Sequence, residues 1–188
     1  MAQWRDTLRK IYHFLFVEDS LLSWIVNIIL AFIIVKFVIY PGLSLLLGTS
    51  LPLVAVISGS MEHEGLTFDA WWAANGAWYE ARNITKEQFF QYYPFVNGFN
   101  KGDVMVLGRA TNAGQGDVLV YTSGAQRYPI IHRVIYINED DATYTFKGDN
   151  NKGPDPAAVV QSQIVGRALY RIPYIGWVKI WFTQLLGL

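Results

Sequence analysis

Cysteine is absent from the 188-residue chain. That excludes disulfides, thiol nucleophiles and cysteine-ligated zinc in one step, and leaves the redox compartment open. Net charge is lacking too, because 15 basic residues balance 15 acidic ones. No basic footprint of the kind that binds nucleic acid is present, so no nucleic-acid partner is expected. Histidine is scarce, with His13, His63 and His132 making up the three. His63 lies in EHEG, which has neither HExxH spacing nor companion ligands, so no metal and no cofactor are expected.

Charge is scarcest between residues 21 and 40, LLSWIVNIILAFIIVKFVIY. Twenty helical residues span ~30 Å, about the hydrocarbon thickness of a bilayer. Ser23, Asn27 and Lys36 alone interrupt the run, and Lys36 lies near its end, where a long side chain snorkels to the headgroups. Pro41-Gly42 is expected to stop the helix. Arg5, Arg9 and Lys10 precede it against a nearby Asp6, so the positive-inside rule places residues 1–20 in the cytoplasm and the remainder outside. A cleavable leader and a buried core helix are the competing readings. The first conflicts with the length of the run, the second with its scarcity of charge.

Beyond the anchor, residues 41–176 read as one extracytoplasmic domain, mainly β, with an aromatic-rich helical insertion at about 62–100. Within the insertion, Thr67 is placed to cap a helix through FDAWWAANGAWYEAR, weakened by Gly76, and Thr85 with Gln88 to cap a second. Its Trp71, Trp72, Trp78, Phe89, Phe90, Tyr92 and Tyr93 suit an interface or internal packing equally. Asn83-Ile-Thr85 is a glycosylation sequon, of a kind that also arises by chance. DVMVLG, GDVLVYTS, PIIHRVIYI, ATYTFKG and QIVGRALYRI show strand periodicity with turn residues between them, and no long amphipathic helix separates them, so an antiparallel or mixed sheet is expected. The apolar tail at 177–188 is too short to span a bilayer and suits an interfacial segment; a plain core element is the alternative.

A serine in a Gly-containing turn stands out in PLVAVISGSMEHEG, residues 52–65. A serine hydroxyl is a poor nucleophile until a base takes its proton. His132 sits in an apolar strand, where a lone histidine is usually a satisfied core residue. The following loop, KGDNNKGPDP, brings Asp149 and Asp155 within hairpin reach of it. An aspartate there can orient the imidazole, although GDNN alone reads as a solvated turn. Ser60 is thus the candidate nucleophile and His132 its base. The Ser60 N–H and the Ser58 hydroxyl are candidate oxyanion donors.

Taken in order, SGSM (58–61), GDVLVY (116–121), HRVI (132–135), KGDNN (147–151) with Asp155, and VGRALYRIPYIG (165–176) resemble the boxes of the type I signal peptidases, in their archaeal and endoplasmic-reticulum branch. The resemblance implies a membrane-bound serine endopeptidase that removes signal peptides from exported preproteins. It implies Ser60 as nucleophile, His132 as general base, Asp155 as the triad aspartate, Asp149 as a second functionally sensitive acid and Ser58 as an oxyanion residue. The implied partners are signal peptides, the lipid bilayer and the secretion translocon. The implied location is the cell membrane, single-pass, with the catalytic domain outside. Proline usually follows Ser-Met-Glu in that family, and here His63 stands instead, which puts the shape of that turn in doubt. The Trp-rich insertion is similar to those of some archaeal members, and an archaeal source is expected. Two other functions fit the anchor and the β-domain: a catalytically silent module that binds exported chains, and a related self-cleaving serine protease.

Overall fold

The computed structural model describes residues 2–124 and 126–187. The chain divides into two compact units, Met1–Leu46 and Leu47–Leu188. The first unit begins with helix α1 (Ala2–Phe16). After a short turn, Ser20 caps helix α2 (Leu21–Ile34), its side chain accepting from the Ser23 N–H. A π-helical turn (Val35–Ile39) and helix α3 (Tyr40–Leu47) continue α2 without a break. The apolar helix therefore runs for 27 residues, Leu21–Leu47, and does not stop at Pro41-Gly42 as the sequence suggests. The π turn explains the difference. It widens the ladder immediately before Pro41, with the Tyr40 N–H reaching back to the Val35 carbonyl. In a regular helix the proline ring would strike the carbonyl four residues earlier; offset pairing relieves that clash.

The second unit is a curled, wholly antiparallel sheet of seven strands in the order β1-β2-β7-β3-β4-β5-β6. The strands are β1 (Leu53–Ala55), β2 (Val104–Gly108), β3 (Val118–Tyr121), β4 (Ile130–Asn138), β5 (Thr143–Lys147), β6 (Val159–Val160) and β7 (Ile164–Ile172). All five strands expected from periodicity are present. The two that periodicity misses, β1 and β6, are short edge strands with too few residues to alternate. Register shifts in the pairings of β2 with β7, β3 with β7 and β4 with β5 mark irregularities of the kind that bend a strand.

Central β3 is buried on both faces. Val118 and Val120 join Met61, Phe99, Met105 and Ile131 in one core. Leu119 and Tyr121 face a second core with Val134, Phe146 and Val159. The insertion supplies a third cluster. Helix α4 (Phe68–Glu80) is capped by Thr67 and helix α5 (Lys86–Tyr92) by Thr85, as their sequences predict. Phe68, Trp71, Trp72, Tyr79, Phe89 and Tyr93 pack together and onto Ile135 of β4. Internal packing thus accounts for most of the insertion's aromatics, while Phe90 and Tyr92 remain exposed. Gly76 does not break α4. A side chain there would collide with the Trp72 indole, so close packing replaces the propensity that glycine lacks. The tail forms helix α6 (Gly176–Leu186), with Ile180 buried and Trp181, Phe182 and Leu185 exposed.

Candidate active site

Ser60 lies in the turn that follows β1, where the Glu62 N–H bonds the Gly59 carbonyl. Met61 beside it is buried, and its carbonyl accepts from the Phe99 N–H. The turn is stapled to the loop after β5: the Asn150 N–H donates to the Ser60 carbonyl at 2.8 Å, and the Asn150 side-chain amide donates to the Gly59 carbonyl at 3.2 Å. His132 projects from near the start of β4, opposite Leu119 of β3. Gly148 admits the imidazole, since a Cβ at that position would run into both the Ser60 carbonyl and His132 Nε2. The close approach explains the glycine of KGDNN.

These elements bring three of the sequence candidates into one row. Ser60 Oγ is 3.0 Å from His132 Nε2. His132 Nδ1 is 2.6 Å from Asp155 Oδ2. Asp155 is fixed by its own N–H, which donates to the Phe146 carbonyl at 2.8 Å. Ser58 Oγ stands 3.2 Å from Ser60 Oγ at the exposed end of the row. The row opens into a cleft of about 470 Å³ whose walls include Val54, Ala55 and Ile57 from β1 and its continuation, and Pro156, Ala157 and Ala158 opposite. Among the described residues β1 pairs with β2 alone, which leaves its other edge without a strand partner.

One group in the row was not singled out from the sequence. Tyr121 donates its hydroxyl to Asp155 Oδ2 at 2.6 Å, so the same oxygen serves both the phenol and the imidazole. Its ring stacks on Phe146 at 4.5 Å between centroids. Burial, then the hydrogen bond to Asp155 and that carboxylate's charge, push the phenol far above its ordinary range. Tyr121 is therefore a permanent donor. The signal lay in GDVLVY, where Tyr121 falls two residues past Leu119 on the face that carries His132.

Asp149 is placed elsewhere. Its carboxylate takes a bidentate pair from Arg133, at 2.9 Å to Oδ1 and 2.7 Å to Oδ2. The Tyr79 hydroxyl donates to Oδ1 at 3.3 Å, and His63 Nε2 lies 3.3 Å from Oδ2. Among the described residues no hydrogen bond joins Asp149 to Ser60, His132 or Asp155. Arg133 and Asp149 are fully buried. Burial alone would raise this carboxyl; the guanidinium and His63 outweigh it and hold the group well below the usual carboxylate range. Lys147 adjoins the cluster, donating to the Tyr79 hydroxyl and to the carbonyls of Gly148 and Asp149. Burial lowers its ammonium from 10.5 to about 8, with Asp149 opposing the shift. His63, where the family's proline is expected, stacks flat on Trp71 at 3.9 Å. It links the turn after Ser60 to the aromatic insertion.

No family model matches the chain. The signal peptidase complex catalytic subunit SEC11 of Saccharomyces cerevisiae, in strains YJM789, RM11-1a and JAY291, is 26% identical to it over 160 residues, covering 79% of this chain and 75% of the relative. That likeness supports the resemblance to type I signal peptidases of the endoplasmic-reticulum and archaeal branch.

Proposed function

We propose that the chain is a signal peptidase, a membrane-anchored serine endopeptidase that removes N-terminal signal peptides from exported preproteins. The observation that carries this reading is the hydroxyl–imidazole–carboxylate row of Ser60, His132 and Asp155 at the edge of a cleft, in a chain similar to a signal peptidase catalytic subunit. The apolar helix Leu21–Leu47 is long enough to serve as the anchor, with the N-terminus cytoplasmic and the catalytic unit outside. The signal peptide, the bilayer and the secretion translocon are the partners of that arrangement. The likeness to a catalytic subunit favours turnover over a silent binding module or a self-cleaving protease.

In this mechanism the preprotein lies extended in the cleft and adds to the free edge of β1 through main-chain hydrogen bonds. The resemblance to signal peptidases implies small side chains beside the cut, and Ala55, Ala157 and Ala158 are among the residues that line the cleft there. His132 Nε2 takes the Ser60 proton as Oγ attacks the scissile carbonyl. The Ser60 N–H and the Ser58 hydroxyl stabilise the resulting oxyanion. His132 then gives the proton to the leaving amine, which frees the mature chain, and next activates a water that releases the signal peptide from Ser60. Asp155 holds the imidazole tautomer with Nδ1–H and stabilises its cation. Tyr121 acts as a positioning residue by fixing the Asp155 oxygen that does so. Asp149 and Arg133 act structurally, by shaping the loop that carries Gly148 and Asn150.

The test compares wild type with Ser60→Ala on a labelled preprotein in liposomes, scored for release of the mature chain. Wild type is expected to cleave, and Ser60→Ala to lose on the order of 10⁶-fold in turnover. Cleavage by the variant at near wild-type rate would remove Ser60 from the chemistry.

A further inference from the structure

The polar interruptions near the start of the apolar helix are occupied in an unexpected way. Ser23 is buried, and its Oγ donates to the Phe14 carbonyl at 2.6 Å. Asn27 Nδ2 donates to the Leu15 carbonyl at 2.8 Å. Both acceptors belong to the last turn of α1, where helix carbonyls otherwise lack partners. Trp24 Nε1 closes the corner on Asp19 at 2.7 Å. Side chains that look like flaws in a membrane helix therefore bind α1 to its first turns.

The helix held there is two-faced. Trp4, Leu8, Ile11, Tyr12 and Phe16 follow helical spacing and are exposed, Trp4 and Tyr12 at 62% and Phe16 at 71%. The other side carries Lys10 and His13 with Asp6, the single acid of the helix; Arg9 stands at the boundary, and Arg5 falls between Tyr12 and Phe16 at the rim of the apolar face, where a long side chain reaches to headgroups. A chain with no net charge thus concentrates three strong cations on fifteen residues. An isolated helix of that length is marginal in water, and such an apolar face calls for a cover.

We infer that α1 is an anionic-lipid docking helix, lying in the interface of the leaflet from which the apolar helix starts. The apolar face enters the headgroup boundary and Arg5, Arg9 and Lys10 contact lipid phosphates. The corner built by Ser23, Asn27 and Asp19 holds the helix beside its anchor, so docking is intramolecular. This inference rests on the reading of Leu21–Leu47 as a membrane anchor, and is independent of the catalytic assignment.

The absence of native cysteine makes the test direct. Full-length protein carrying one spin label, at Leu8→Cys, Tyr12→Cys, Asp6→Cys, His13→Cys or Ile29→Cys, is reconstituted in phosphatidylcholine vesicles with and without phosphatidylglycerol. Accessibility to oxygen, which concentrates in lipid, is compared with accessibility to a water-soluble nickel chelate. Labels at Leu8 and Tyr12 should be reached by oxygen and those at Asp6 and His13 by nickel, most sharply with phosphatidylglycerol. Neutralising Arg5, Arg9 and Lys10 together to Gln should weaken docking by roughly 10²-fold. Equal nickel access at all four α1 positions would overturn the inference. So would protection from both reagents with dipolar broadening lost on dilution by unlabelled protein, which indicates a second copy as the cover. Nickel access at Ile29 would instead overturn the anchor reading itself.

Discussion

His132 and Arg133 are neighbours on one strand, and Asp155 and Asp149 share one loop, yet the two pairs stand in opposite surroundings. His132 and Asp155 stand at the cleft with 9% and 13% of their side chains exposed; Arg133 and Asp149 are sealed at 0%. Successive residues of a strand point to opposite faces, so β4 hands one residue to the cleft and the next to the interior. The loop after β5 then answers each with an acid. The cleft pair has the Ser60 hydroxyl beside it and modest cover. The interior pair has every lone pair engaged and an aromatic shell of Phe89 and Tyr93 around the guanidinium. A charge pair that is wholly enclosed is suited to holding a loop in place and poorly suited to moving a proton.

That contrast can be sharpened on each side. On the cleft side, Ser58→Ala removes a hydroxyl 3.2 Å from Ser60 Oγ without touching the core. Turnover of preprotein should fall ~10²–10³-fold, the range for one oxyanion donor, with the melting temperature unchanged. On the interior side, Lys147 should affect stability and not rate. Its pKa is lowered from 10.5 to about 8, so between those values the unfolded chain binds the proton that the folded chain has released. Stability therefore rises with pH across that window, and the burial penalty is fully present below pH 8. A shift of this size corresponds to roughly 3 kcal/mol. Lys147→Met should flatten that rise in denaturation curves taken between pH 8 and 10, while cleavage at pH 7 per folded molecule stays near wild type. Tyr121 joins the two sides, with a buried ring and a hydroxyl on Asp155. Tyr121→Phe keeps the stacking on Phe146 and removes one donor to a charged acceptor. A loss of about tenfold in kcat with KM unchanged is expected; a change confined to KM would argue against positioning.

Much of the row was legible because its residues sit where turns and strands are strongly marked. Ser60 follows an apolar run at a glycine turn, and His132 lies in a strand-like run whose hairpin leads to the polar loop that carries Asp155. The resemblance supplied their order, and the structure brings Ser60, His132 and Asp155 together. The placing of Asp149 was not legible. Asp149 and Asp155 are both turn acids in the same polar loop, and what separates them is Arg133, whose inward direction depends on strand register. Tyr121 was hidden for a related reason, since its hydroxyl meets Asp155 across 34 residues of chain. In the fold, the length of the apolar helix was misjudged at Pro41 because a π turn is set by backbone geometry that composition does not reveal. His63 read only as a departure from a proline. Its stacking on Trp71 shows a turn held by side-chain packing on an insertion, where a rigid ring would otherwise fix the backbone.

The most direct test of the division between the two acids is a paired measurement on Asp155→Asn and Asp149→Asn, with preprotein turnover per folded molecule and denaturant stability determined on the same samples. Asp155→Asn should lose ~10⁴-fold in turnover at wild-type stability. Asp149→Asn should lose roughly 3–5 kcal/mol of stability, because Arg133 is left buried without its counter-charge, while its folded fraction keeps turnover within about tenfold of wild type, well short of the loss from a missing triad member. A stable Asp149→Asn protein with turnover reduced as severely as Asp155→Asn would contradict the account and place both acids in the chemistry.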